Sequence, residues 1–394
     1  MNICILTPRF PYPQYGGDAL RINEVAKHLK SQGHKLILVS MSDVVHPPVV
    51  QAKQLYDKVY FVKRNKVMSL LIGAFNFLLG KPIQCGYYSS GAYRKLLREV
   101  VQTEKPDLYV SHLLRMAPYL CQLHLEDRSI IEMTDVLSKA YLLSVKAKRV
   151  GLLKYVYLLE QRLIAKYELL VTSRFPKVVL VSQSDIDYLR DKHPLESSSL
   201  TLHSNGVNIL RMQSATPYDA DKICFLGNMR SMQNQDAVLY FANEVFPFIK
   251  RERPSAKFHI VGSLPPSNIQ ALASDDIIVT GFVDDLEAYI KDSCLMVAPV
   301  RVAAGIQNKV LVAMGCGIPV VLTTLISRAI PELSDGENCL IRDDSRTIAD
   351  ACLRLMREPA LRNDMGRKGY DMVLQHYSWE EKLRGYEQMP TVTR

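Results

Sequence analysis

Short β-rich apolar runs alternate with amphipathic helical stretches along the whole chain of 394 residues, and this alternation limits the fold more than any other feature. A strand–helix–strand repeat closes as parallel sheet covered by helices, the α/β class. Residues 2–7 read as the first strand and the Pro/Gly-rich loop PRFPYPQYGGD follows it. A helix is expected over 19–30 with Leu20, Val25, Ala26 and Leu29 on one face, ended by Gly33, and a second strand over 35–40. That is one complete βαβ unit. Further strands are expected at 58–62, 108–111, 129–133 and 178–181, with long helical stretches at 93–102 and 151–172. A second alternation begins after 214–218, with strands at 223–226, 258–261, 277–280, 295–300 and 319–322. Helices near 345–357, 360–376 and 378–387 close the chain.

Two Rossmann-like domains are therefore expected, at 1–205 and 215–375, facing across a cleft, with a helix in 376–394 returning to the first. The length allows two or three domains at roughly 150 residues each. With 48% apolar and 23% charged residues, disorder, collagen and coiled coil are excluded as the main character. None of the eight cysteines forms a CxxC pair, which points to buried thiols in a reducing compartment. The opening MNICILTPRF has no basic region leading into a long apolar run, so no secretory signal is expected. No run reaches the ~18 apolar residues of a spanning helix. The chain reads as cytoplasmic. A net charge of +9 favours anionic partners such as phosphorylated ligands or an anionic membrane surface, and no motif argues for nucleic acid.

Two glycine-bearing loops carry the first chemical signals. Gly16 and Gly17 follow the first strand, where glycine lets backbone amides approach a phosphate ahead of a helix N-terminus. They do not form GxGxxG, so no dinucleotide cofactor is indicated. The second loop follows the strand ending at Val300. Gly305 lies in a turn, a helix starts near Ile306, Lys309 lies one turn in and Arg301 sits at the strand end. An anion there would meet backbone donors and the helix dipole together. Gly315-Cys316-Gly317 reads as a helix C-cap.

The segment GIQNKVLVAMGCGIPVV is very similar to the donor-site segment of GT-B glycosyltransferases of the large retaining family-4 group, most of all bacterial polysaccharide and exopolysaccharide sugar transferases. Other segments agree in order: the opening loop through Gly17-Asp18, the junction Ser204-Asn205-Gly206-Val207, Gly227-Asn228 through Asn234, Ile260-Val261-Gly262, Gly281-Phe282-Val283 and Tyr377-Ser378-Trp379. The resemblance implies an acceptor-binding first domain and a donor-binding second domain. It implies that Gly281, Phe282 and Val283 line the nucleotide base and that Gly305, Ile306, Gln307 and Asn308 receive the donor diphosphate. Lys309 and Arg230 become its side-chain partners, with Gly227 and Asn228 in the adjoining loop and Gly16 and Gly17 approaching from the other domain. It implies a nucleoside diphosphate-sugar, UDP- or GDP-linked, as co-substrate, with no further cofactor and no metal. Two glutamates usual in the family are replaced by Ala304 and Val312, the second being the ribose position.

In the first half, His112 falls at a strand end, where the family often has a histidine near the donor sugar. Glu132 and Asp135 resemble an acidic pair of the relatives. Asp135 either orients an acceptor hydroxyl or caps the next helix. Glu160 and Glu168 read as solvent-facing or paired with Arg162 and Lys166. The apolar stretch 68–82, flanked by Lys63, Arg64, Lys66 and Lys81, reads as a helix covering the sheet or, alternatively, lying on an anionic bilayer. The leading functional reading is sugar transfer, with retention, to a glycan or lipid-linked acceptor in bacterial surface polysaccharide synthesis. The alternatives are a degenerate, non-catalytic binding protein and a sugar-nucleotide epimerase.

Overall fold

The computed structural model describes residues 1–14, 17–147, 153–192, 199–209, 218–301 and 306–389. The chain divides into two compact units, one of Met1–Asn205 with Leu383–Arg394 and one of Gly206–Lys382. The described residues of the first unit hold β1 (Asn2–Thr7), β2 (Lys35–Ser42), β3 (Lys58–Lys63), β4 (Leu108–His112), β5 (Ser129–Thr134), β6 (Lys177–Leu180) and β7 (Leu200–Leu202). They form one parallel sheet in the order β3-β2-β1-β4-β5-β6-β7. The second unit holds β8 (Asp219–Leu226), β9 (Lys257–Val261), β10 (Ile277–Gly281), β11 (Ser293–Ala298), β12 (Val320–Leu322) and β13 (Leu340–Ile341), parallel in the order β10-β9-β8-β11-β12-β13.

Both sheets are doubly wound. The strand order reverses between β1 and β4 in the first and between β8 and β11 in the second, and ligands of such sheets bind outside the carboxyl ends at that reversal. The central strands are buried on both faces, which is why they read as continuous apolar runs rather than alternating ones. The sequence pattern did not announce β7 and β13, because runs of three and two residues carry no period.

The helix Gly17–Ser31 forms, but its buried face is not the expected one. Leu20 is exposed, while Arg21, Asn23, Glu24 and His28 are buried beside Ile22, Val25, Ala26 and Leu29. Asn23 bridges the Pro11 carbonyl (3.0 Å) and the Tyr56 hydroxyl (3.1 Å), so a polar side chain is satisfied inside. Arg21 faces Glu132 at 3.3 Å and donates to the carbonyls of Ser204 (2.9 Å) and His203 (2.8 Å).

Glu160 and Glu168 depart from expectation more sharply: both are buried. Glu160 accepts from the amides of Ile83 (3.0 Å) and Gln84 (3.4 Å), which open the helix Ile83–Tyr87. Glu168 accepts from the Ser138 amide (3.1 Å) at the start of the helix Leu137–Ala147. Each carboxylate takes up orphan helix-start donors from a distant part of the chain, a role that spacing along its own helix does not reveal.

The closing helix is short, Trp379–Lys382, and the first unit resumes at Leu383. There the buried Lys177 ammonium donates to the carbonyls of Gly385 (3.1 Å), Tyr386 (2.8 Å) and Gln388 (2.9 Å). Within the second unit, the Val207 amide donates to the Tyr377 carbonyl at 2.9 Å. A side chain at Gly206 would collide with the backbone of Trp379.

Burial pushes the Glu168 carboxyl up to about 7, against hydrogen bonds from Ser138 and Leu137 that lower it. The folded state then holds this proton more tightly than the unfolded chain, whose glutamate titrates near 4.5. This group therefore takes stability away as pH rises from 4.5 to about 7 and leaves it lower above that. Glu168→Gln, which keeps a neutral acceptor, should match the wild type near pH 4.5 and exceed it by about 1–3 kcal/mol at pH 8, as read by urea denaturation at the two pH values.

Candidate functional site

In the second unit, three neighbouring parallel strands end in glycine. The Gly227 amide donates to the Val261 carbonyl (3.0 Å) and the Gly262 amide to the Gly281 carbonyl (3.1 Å), so the ends of β8, β9 and β10 are stepped against one another. Gly262 has φ +153°, and a Cβ there would overlap the Gly227 carbonyl oxygen. Only glycine permits this close backbone approach.

The loop after β8 is fixed by side-chain amides. Asn228 Oδ1 accepts from the Arg230 amide (2.9 Å), and the Asn228 carbonyl accepts from Asn234 Nδ2 (2.8 Å). Gln235 Nε2 donates to the Met229 carbonyl (2.8 Å). Asn234 is buried on the helix Met232–Tyr240 and uses its other end, Oδ1, to accept from the Lys309 ammonium. Lys309 stands in the first turn of the helix Asn308–Gly315, with Nζ 4.6 Å over the Phe225 ring. Burial pushes it down to about 8. Lys309, Asn234, Asn228 and Gly227 thus form one connected group at the switch point of the second sheet, with Arg230 exposed on the same loop. An ammonium held beside this loop can pair with an anion.

Sequence reasoning gave Asn234 no role of its own. Its signal was its place in the first turn after the Gly227 loop, where a side-chain amide can reach back to the loop carbonyls. Arg301, just past the end of β11, is paired within the unit. Its guanidinium pairs with Asp236 at 3.1 and 2.6 Å and lies 4.3 Å over the Tyr240 ring. Gln307 is buried just ahead of the helix, while Ile306 and Asn308 are exposed. Phe282 is 68% exposed beside Gly281, whose φ is +69°, and Val283 is half-buried. Val312 is half-buried and packs against the core. Gly317, at φ +74°, ends this helix in the left-handed conformation, as the C-cap reading required. Gly16, Ala304 and Gly305 lie outside the described residues.

In the first unit, a cavity of about 340 Å³ lies beside the switch point of the other sheet. Its lining includes Arg9, Gly17, Arg21, Arg115 and Asp135. Two strand ends on its wall carry unusual backbone: Leu113 has φ +70° and Thr134 has φ +65°. Bulky and β-branched residues rarely adopt this region, and such strain clusters at functional sites. His112 lines a smaller adjoining cavity with Arg9 and Asp18. It is buried, and neither ring nitrogen has a hydrogen-bond partner among the described residues. Burial, aided by Arg115, Arg21 and Arg9 against Asp18, pushes its pKa down to about 3, so the imidazole is neutral at neutral pH. Asp135 sits above the ordinary carboxylate range through desolvation and the nearby Asp185. The next helix's start is served instead by Glu168 and by Asp185, which accepts from the Val136 amide at 3.4 Å. Glu132, read as part of an acidic pair, is fully buried within β5 against Arg21. Among the described residues no cluster of three or more His, Cys, Asp or Glu suited to a metal occurs, and no helix is long and apolar enough to cross a membrane.

Residues 220–358 match the family described as Glycosyl transferases group 1. A Klebsiella pneumoniae protein described as an uncharacterized 44.6 kDa protein in the cps region is 22% identical over 410 residues, covering 95% of this chain and 96% of its own length. Among solved structures, Anabaena HepE in complex with UDP aligns over 98% of both chains at 13% identity, with a TM-score of 0.61. WaaG, a glycosyltransferase involved in lipopolysaccharide biosynthesis, aligns over 98% of this chain and 99% of its own at 13% identity, with a TM-score of 0.60. The two parallel sheets are those of the GT-B fold. The family match falls within the second unit, and the resemblance read from the donor-site segment holds.

Asn234→Leu removes the acceptor of the half-buried Lys309 and the donor to the Asn228 carbonyl together. It should lower stability by about 1–3 kcal/mol, measured by urea denaturation. Arg301→Ala breaks an exposed pair and should change it by less than about 1 kcal/mol.

Proposed function

We propose that the protein transfers a sugar from a nucleoside diphosphate donor, with the donor bound on the second unit at the Gly227–Lys309 group. The observation that carries this is the half-buried Lys309 ammonium in the first turn of its helix, tethered through Asn234 to the Gly227 loop. HepE, which shares the fold, has been solved in complex with UDP and with UDP-glucose, and this supports a uridine diphosphate-linked donor. On this reading Lys309 and Arg230 hold the diphosphate, with the amides of Ile306, Gln307 and Asn308, and Gly305 ahead of them. Gly281, Phe282 and Val283 meet the base, and the exposed Phe282 ring offers it a stacking face.

The chemistry is departure of the nucleoside diphosphate from the anomeric carbon as an acceptor hydroxyl bonds to it. The departing phosphate oxygen takes the acceptor proton on the same face, which retains configuration. The protein's contribution is electrostatic: positive charge and fixed amides where negative charge develops. In the first unit, the neutral His112 and the cavity-lining Asp135 are the groups offered to acceptor hydroxyls, with Gly17 at the start of its helix on the same cavity wall. The acceptor is a glycan or lipid-linked glycan of a bacterial surface polysaccharide, supported by the cps-region relative. Cytoplasmic nucleotide sugars place the reaction in that compartment. A second reading, nucleotide binding without transfer, is favoured by Val312, which packs against the core where the family has a ribose-binding carboxylate. Release of UDP or GDP from nucleotide sugars that rises on adding cell-envelope glycolipids supports transfer. Binding without turnover supports the second reading.

Lys309→Met should weaken UDP binding by about 1.5–3 kcal/mol in calorimetry. Because the free ammonium titrates near 8 and only its charged form pairs with phosphate, wild-type affinity should fall as pH rises from 7 to 9. The variant should lose that dependence.

A further inference from the structure

The helix Lys66–Leu78 in the first unit packs with the wrong side inward for a helix that covers a sheet. Its inner face is small and polar: Ser69 and Gly73 are buried, and Asn76 lies against Gly86 of the helix Ile83–Tyr87. A side chain at Gly73 would press on the Ile83 carbonyl, and one at Gly86 would strike Asn76. Most of its large apolar residues face outward instead, with Ile72 and Phe77 half-buried. Val67 is 68% exposed, Phe75 61% and Leu78 82%, and Met68, Leu70, Leu71 and Leu79 are exposed with them. The expectation of a sheet-covering helix is therefore not met.

Charge singles out what this face meets. From Lys58 to Arg98 the chain has eight basic residues and no acidic one. Lys63 and Lys66 stand exposed at the start of the helix and Lys81 just past its end. Arg64 is tied to Asp43 at 2.6 Å and lies over the Tyr87 and Tyr88 rings at 4.7 and 4.8 Å, which fixes the approach to the helix. Asn65 caps it by accepting from the Met68 amide at 3.2 Å. An apolar stripe bracketed by lysines, on a helix too short to cross a membrane, matches the acyl–headgroup boundary of an anionic bilayer. A protein partner would have to match the lysines and the stripe together, and a second copy of this chain would bring lysines against lysines.

We infer that this helix is an interfacial anchor that docks the protein on an anionic lipid surface, its apolar face among the acyl chains and Lys63, Lys66 and Lys81 at the headgroups. This rests on the first unit alone and is independent of the donor assignment.

The test is co-sedimentation of the full chain with phosphatidylglycerol vesicles and with phosphatidylcholine vesicles, at low and high salt. Wild type should bind phosphatidylglycerol vesicles preferentially and lose part of that binding with salt. Leu71→Glu with Leu78→Glu should reduce binding at least about tenfold while leaving the melting temperature unchanged, since both side chains are exposed. Lys63→Glu with Lys81→Glu should abolish the preference for phosphatidylglycerol. Binding that is equal for wild type and the leucine variant overturns the inference. So does a wild type that ignores vesicles but sediments as a dimer that the leucine variant dissociates.

Discussion

A cation drawn below the surface must be given acceptors, and in the second unit the Lys309 ammonium is given Asn234 and the face of Phe225. That requirement orders the carboxyl edge of the sheet. Asn234 is buried to serve Lys309, so its amide end is free to fix the Asn228 carbonyl, and the loop after β8 is held where Gly227 passes under Gly262. The packing admits only glycine at position 262 and holds the strand ends close together. An anion arriving there meets an ammonium already in position, so little ordering is needed on binding.

The first unit solves the opposite problem, buried carboxylates, by the same rule. Glu132 is answered by Arg21, Glu160 by the amides that open the helix Ile83–Tyr87, and Glu168 by the Ser138 amide. Arg21 also lines the cavity with Asp135 and Arg115, and its partner Glu132 lies in β5 just ahead of Thr134, which with Leu113 takes up strained backbone. Strain persists only where the surroundings over-determine it. The polar interior thus underlies a region that carries a buried, neutral imidazole and a raised carboxyl.

The architecture was legible because parallel, doubly covered strands write themselves as apolar runs at regular intervals, and all but β7 and β13 were found within a few residues. The glycine strand ends and Lys309 were legible for a related reason: they sit at the turn between strand and helix, where residue type is dictated locally. What was not legible depended on partners far along the chain. Glu160 and Glu168 looked like a solvent-facing helix stripe, because nothing near them announces that helix starts at Ile83 and Ser138 need acceptors. Arg301 showed its place at a strand end but not its partner Asp236, which lies on another helix. The helix Lys66–Leu78 shows the limit of periodicity most plainly. The pattern gives an apolar face, but whether that face turns inward was decided by Gly73 and Gly86, which make the other side the one that packs closely.

Nucleoside diphosphate binding on the second unit is read directly by amide hydrogen exchange with and without UDP. Binding at the second sheet should slow exchange at Gly227–Ser231, Gly262, Gly281–Val283 and the first turn after Gln307, and leave β1 to β7 unchanged. Protection confined to the first unit, or none at a UDP concentration that saturates binding, would contradict it.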